Sequence, residues 1–76
     1  MSKFKIGDQV FGKSDDFHVH TRRGVGEVVG ISRVGTWKMY HVLRPGENPQ
    51  EARYGSRAIH LVHAADVDLR NGVVKF

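Results

Sequence analysis

Apolar residues along this chain recur in short bursts broken by glycine, and no window keeps a stripe at i, i+3, i+4, i+7. The pattern predicts strands rather than helices. Residues 5–13 set Ile6, Val10 and Phe11 around Gly7-Asp8, a turn that feeds a strand. Residues 25–32 alternate strictly: Val25, Glu27, Val29 and Ile31 share one face, Gly26, Val28 and Gly30 the other. Residues 36–43 concentrate large side chains in Trp37, Met39, Tyr40, Val42 and Leu43. Residues 57–62 read as a fourth strand with Ile59 and Leu61 facing one way, and residues 73–76 as a short last one.

The connections are as legible as the strands. Residues 32–35 form a short hairpin turn carrying Gly35. Residues 14–23 make a loop with Asp15-Asp16 at one end and Arg22-Arg23 at the other. Residues 44–55 hold Pro45-Gly46 and Asn48-Pro49, two turn signals in one polar loop. His63-Ala64-Ala65-Asp66 reads as a single helical turn. Short strands in so few residues must curl to bury one shared core. The predicted architecture is therefore all-β, one domain over residues 1–76, a small five-stranded SH3-like barrel.

Size and charge sharpen this picture. A chain of 76 residues supports one small core. Such a domain buries only about 60% of the surface its unfolded chain exposes, so a homo-oligomer or a tight partner would help it. Without cysteine there are no disulfides or thiolate metal sites. The N-terminus MSKFKIGD has no apolar run of signal-peptide length, and no stretch approaches a membrane span, so the expected location is cytoplasmic. The net charge of +4 favours polyanions or acidic protein surfaces as partners.

The segment TRRGVGEVVG suggests a phosphate-binding loop, but its glycines, Gly24, Gly26 and Gly30, miss the G-x-G-x-x-G spacing and no helix follows. They read instead as points of bending or close approach in a strand. The five histidines, His18, His20, His41, His60 and His63, show no i, i+4 pairing, so no metal is expected. Asp15-Asp16 and Asp66 with Asp68 are local pairs rather than a cleft, so neither catalysis nor a cofactor is expected.

The candidate binding residues are basic and aromatic side chains on or beside the second, third and fourth predicted strands: Arg22, Arg23, Arg33, Trp37, Lys38, Tyr40, Arg53 and Arg57, with Tyr54 near them. Small barrels stack bases on exposed aromatics while Lys and Arg track phosphates. Trp37 and Tyr40 lie three apart on one strand and so face opposite sides. One of them belongs to the core, leaving one stacking platform. A strand edge is a further contact surface, since backbone pairing needs no special side chain.

The run Phe4-Lys5-Ile6-Gly7-Asp8-Gln9-Val10, followed by Gly24-Val25-Gly26-Glu27-Val28-Val29-Gly30-Ile31 and Tyr40-His41-Val42-Leu43, resembles the Tudor-like RNA-polymerase-interacting domain of CarD-type transcription regulators and of the transcription-repair coupling factor. The tail Leu61-Val62-His63-Ala64-Ala65-Asp66-Val67-Asp68-Leu69-Arg70 is similar to the way that domain ends. The chain departs from the pattern in its longer loop at residues 14–23, in Arg23 where a histidine is usual, and in lacking the helical DNA-contacting domain. The resemblance implies a non-catalytic docking barrel in transcription that binds RNA polymerase, or another protein, through a strand edge. The G-x-V core also resembles KOW modules, which implies nucleic-acid binding as the alternative. A further resemblance is to the short plasmid-encoded dihydrofolate reductases, homotetrameric SH3-like barrels. Gly7-Asp8-Gln9-Val10 and Gly26-Glu27-Val28-Val29-Gly30 are similar to their opening. Their V-Q-I-Y pore strand corresponds to Arg57-Ala58-Ile59-His60, where only the isoleucine remains.

Overall fold

The computed structural model describes residues 3–22, 24–53 and 55–75. Their strands are β1 (Gln9–Lys13), β2 (Val19–His20), β3 (Gly26–Val34), β4 (Trp37–Leu43), β5 (Leu61–His63), β6 (Val67–Asp68) and β7 (Val73–Val74). Five of them form one sheet, ordered β2-β1-β3-β4, with β5 on β1 as well. Val10 pairs with Gly26 of β3 and also with His63 of β5, so β3 and β5 occupy opposite edges of β1. β6 and β7 form a separate two-stranded sheet. The architecture is all-β with a five-stranded sheet, as the pattern predicts, although β2 belongs to that sheet while the strand expected at residues 73–76 pairs with β6 as β7, its Phe76 lying outside the described residues.

The sheet is bent but not closed by a continuous ladder. A single bridge reaches from the outer edge of β4 toward the returning chain, where Tyr40 and Ser56 exchange both backbone hydrogen bonds at 2.8 Å. From there a 3-10 turn, Ala58–His60, leads into β5. The segment expected as a strand from residue 57 is thus a turn up to His60. Its Ile59 points to solvent while Leu61 is buried, so the two do not share a face. The two predicted loops also hold more than loop. β2 lies inside residues 14–23, and a 3-10 helix, Pro49–Arg53, lies inside residues 44–55.

The β3–β4 hairpin is the longest element. Its loop is Gly35-Thr36, two residues later than the turn signal suggests, because β3 extends through Val34. Gly35 has φ +60 while Thr36 does not enter the left-handed region, which gives a type II′ turn whose twist matches the strands it joins. The pairing register slips between Val28 and Gly30, leaving Val29 as an extra residue. Such a bulge bends the strand and raises its twist.

Gly26 and Val28 turn inward, whereas Val29 and Ile31 keep large exposed areas. A Cβ on Gly26 would collide with the Val42 side chain, so this glycine lets β3 and β4 close on each other. Two clusters make the core. Phe4, Val10, Val28, Tyr40, Val42 and Leu61 form the first, with the Phe4 and Tyr40 rings edge-to-face at 5.2 Å. Phe11, Val19, Val62 and Val67 form the second, capped by Val74 and Ala64. Successive residues of β1 and β5 feed different clusters, so this pair of strands is buried on both faces.

Candidate functional site

The hairpin end gathers four of the predicted contact residues. Val34 pairs with Trp37 and Arg33 with Lys38 across the ladder, so each pair shares one face of the hairpin. Trp37 is 53% exposed. The Arg57 guanidinium lies 3.6 Å from its ring centroid, in stacking contact. The Ser56–Tyr40 bridge causes this approach, because it aligns the chain beside β4 and places Arg57 on the face that carries Trp37. Ile59 stands nearby, 57% exposed, and completes an apolar patch with Val34 and Trp37. Apolar patches rimmed by charge on small soluble domains mark contact surfaces.

Tyr40 is not a contact residue. It is 2% exposed, packed under Phe4, and its hydroxyl accepts the Lys3 backbone N–H at 3.2 Å. Trp37 is therefore the stacking platform of this strand. Arg22 is exposed but stands beyond the other end of β3, a strand roughly 25 Å long, so it does not join the hairpin cluster. Arg53 ends the 3-10 helix that packs on β4 and is exposed there. Arg23 and Tyr54 lie outside the described residues.

The sequence that builds this side is poor in acids. From Val28 to Gly46, and again from Ala52 to Ala65, the sequence has no Asp or Glu. These two stretches supply the whole hairpin end and its Arg57–Ile59 neighbour. Arg33, Lys38, Arg53 and Arg57 all fall within these two stretches of sequence.

The backbone adds a second feature. Both polar groups of Tyr40 are used on the outer edge of β4, toward Ser56. Its partner Ile31 must then direct its own N–H and C=O away from β4, because antiparallel pairs alternate between bonded and non-bonded. Two residues on, Arg33 does the same. The outer edge of β3 is covered at Val28, whose N–H donates to Asp8 and whose carbonyl accepts from Gly7. Beyond the bulge, no strand pairs with that edge among the described residues. Ile31 and Arg33 thus offer a short open edge on the basic hairpin.

The outer face of the hairpin is pinned from behind. The His41 Nδ1 lies 2.6 Å from the Ala52 carbonyl and its Nε2 lies 2.7 Å from the Ser32 hydroxyl. A carbonyl only accepts, so Nδ1 carries the proton and Nε2 accepts from Ser32 when the ring is neutral. This ties the loop at residues 44–55 to the sheet. Sequence reading found no role for His41, Ile59 or Ser56, because each depends on the path of a loop across the sheet rather than on local pattern.

A larger groove of about 310 Å³, lined in part by Val25, Val29, Leu43 and Arg44, lies at the opposite end of the hairpin. Glu27 also lines it, and Glu47 sits 3.6 Å from the Arg44 guanidinium, so acids accompany the cation of this groove. Among the described residues, no group of three or more His, Asp or Glu is arranged to hold a metal, and no helix is long and apolar enough to cross a membrane. No known protein family, curated protein or solved structure significantly matches the chain.

Proposed function

We propose that this protein is a non-catalytic docking module that binds a protein of the transcription machinery, with RNA polymerase as the partner, through the open edge of β3 and the basic hairpin end. The observation that carries the reading is the outward-facing backbone of Ile31 and Arg33 on one edge of a hairpin end whose other edge carries Arg57 stacked on Trp37. An extended segment added at this edge gains two pairs of backbone hydrogen bonds, and its side chains lie beside those of Ile31, Ser32 and Arg33 on alternate faces. The resemblance of the opening and the Gly-Val-Gly strand to polymerase-interacting barrels supports polymerase as the partner. The basic charge supports an acidic docking surface on it.

The test uses immobilised protein and purified RNA polymerase across a salt series, with amide exchange read in the complex. Retention that weakens little with salt, together with new protection of the Ile31 and Arg33 amides, is the expected result. Loss of polymerase at low salt overturns the reading.

The Arg57–Trp37 stack favours a second reading, direct binding of single-stranded nucleic acid with bases on the exposed indole. That version separates cleanly. Affinity for an oligonucleotide then falls linearly on a log–log salt plot, with a slope set by the phosphates neutralised.

A further inference from the structure

Beside Trp37 the surface sinks into a hollow of about 170 Å³, lined by Trp37, Lys38, Tyr40, Arg57, Ala58 and Ile59. Its depth comes from the fold. Tyr40 is buried and Ala58 packs against the main core cluster, so these two form the floor. Trp37 and Ile59 are each more than half exposed and stand up as walls. The guanidinium of Arg57 is held on one wall by its stack with Trp37. Its chemistry is an apolar floor and walls with a fixed cation at the margin, inside a region of the sequence that carries no acid.

We propose that this hollow is an anchor pocket for an aromatic side chain of the partner protein, flanked in the partner by a carboxylate. The proposal rests on the docking reading above and names which partner residue carries the contact. An aromatic ring buries apolar area against Trp37, Ile59 and Ala58. The carboxylate meets Arg57, whose planar fork is already oriented and so loses little freedom on pairing. Contact energy in protein interfaces concentrates at such sites, where an aromatic or arginine lines a pocket that a partner side chain fills. An isolated acid or an isolated ring uses half of the pocket.

The chain itself carries one segment of the matching kind, Asp16-Phe17, with Phe17 54% exposed. One side chain in a small hollow falls far short of the roughly 1,200 Å² that stable association needs, so a second copy is the weaker occupant. It is distinguished in the test.

The probe is N-acetyl-aspartyl-phenylalanine amide, titrated into the full chain and followed by the fluorescence of the single tryptophan and by amide shifts. The expected result is saturable binding with shifts centred on Lys38, Ala58 and Ile59. The asparaginyl analogue binds more weakly. Ile59→Asp, which sets a carboxylate in the wall, weakens the probe roughly tenfold, and Arg57→Ala removes the preference for the aspartyl form. Thermal melts of both variants report whether the fold is kept. Non-saturating or scattered shifts overturn the proposal. So does tighter binding of adenosine monophosphate at the same residues, which makes the pocket a nucleotide site. Concentration-dependent shifts at the hollow without probe, lost in Phe17→Ser, assign it to a second copy and also overturn it. Polymerase retention that Ile59→Asp leaves unchanged removes the pocket but keeps the docking reading. Probe binding without polymerase retention does the reverse.

Discussion

Arg57 lies over the ring of Trp37 at 3.6 Å, although the two residues are twenty positions apart and neither is buried. The contact exists because Ser56 and Tyr40 lock the returning chain onto β4. An exposed cation–π pair of this kind contributes about 0.5–1 kcal/mol. Arg57→Ala is therefore expected to cost the fold no more than about 1 kcal/mol in urea unfolding. The same change is expected to weaken partner binding roughly tenfold, as an arginine in the centre of a contact does. A stability loss with unchanged binding would make the stack purely structural.

Gly26 makes a separate prediction. It is buried where β3 meets β1 and β4, and a methyl group there runs into Val42. Overpacking of a tight core costs about 1–3 kcal/mol. A domain of this length has only about 4–11 kcal/mol in total. Gly26→Ala is expected to lower the urea midpoint clearly with an unchanged slope. Gly30→Ala is the control, because a Cβ there makes ordinary contact with the His41 ring at 3.7 Å. Equal effects at the two positions would contradict the close approach at Gly26.

These two glycines also show how far the sequence reaches. Alternation located β3 and a concentration of large side chains located β4, because both signals are local, and the glycines marked bending and close approach. The faces could not be assigned from the same pattern. Val29 and Ile31 look more like core than Gly26 and Val28, yet Gly26 closes on Val42 and Val28 packs in the main core cluster. Spacing alone put Trp37 and Tyr40 on opposite faces, and packing under Phe4 chose Tyr40 for the core. Arg33, Trp37, Lys38 and Arg57 come together, whereas Arg22 does not, since contiguity on a surface depends on where a loop crosses the sheet. Ile59 reads as a strand residue until the 3-10 turn is seen. The β6–β7 hairpin left only a weak trace in the sequence, two residues per strand, although it covers the second core cluster.

The contact between His41 and the Ala52 carbonyl gives a third prediction. At 2.6 Å it is a polar tie between the 3-10 helix Pro49–Arg53 and the outer face of β4. Removing the donor takes this partner from the carbonyl of Ala52, a buried residue. His41→Phe, which keeps the ring volume, is expected to cost about 1–3 kcal/mol. Proteolysis is expected to begin within residues 44–55, since that loop is then the least restrained. Ser32→Ala removes only the hydroxyl on Nε2 at an exposed position, and its expected cost is no more than about 1 kcal/mol. A larger loss in Ser32→Ala than in His41→Phe would show that the order of the two contacts is wrong.

Acid tests the loop at residues 14–18. Asp15 accepts the backbone N–H groups of His18 and Phe17, each at 2.8 Å, and its other oxygen lies 2.9 Å from the His18 ring. The His18 amide, then the Phe17 amide and the imidazole, hold the Asp15 carboxyl down at about 2, against an ordinary value of 3.8. Its folded value is below its unfolded one, so the unfolded chain binds more protons between the two. The contribution of this turn is complete above pH 4 or so and is lost as pH falls through about 2. The carboxyl carbon of Asp15 is expected to titrate with a midpoint near 2, with the Phe17 and His18 amide shifts following it. In Asp15→Asn those amides become insensitive to pH in this window, while the hairpin end keeps its shifts, because Trp37 and Arg57 lie on other elements. A midpoint at the ordinary aspartate value would mean that the two amides do not point at this carboxylate in solution.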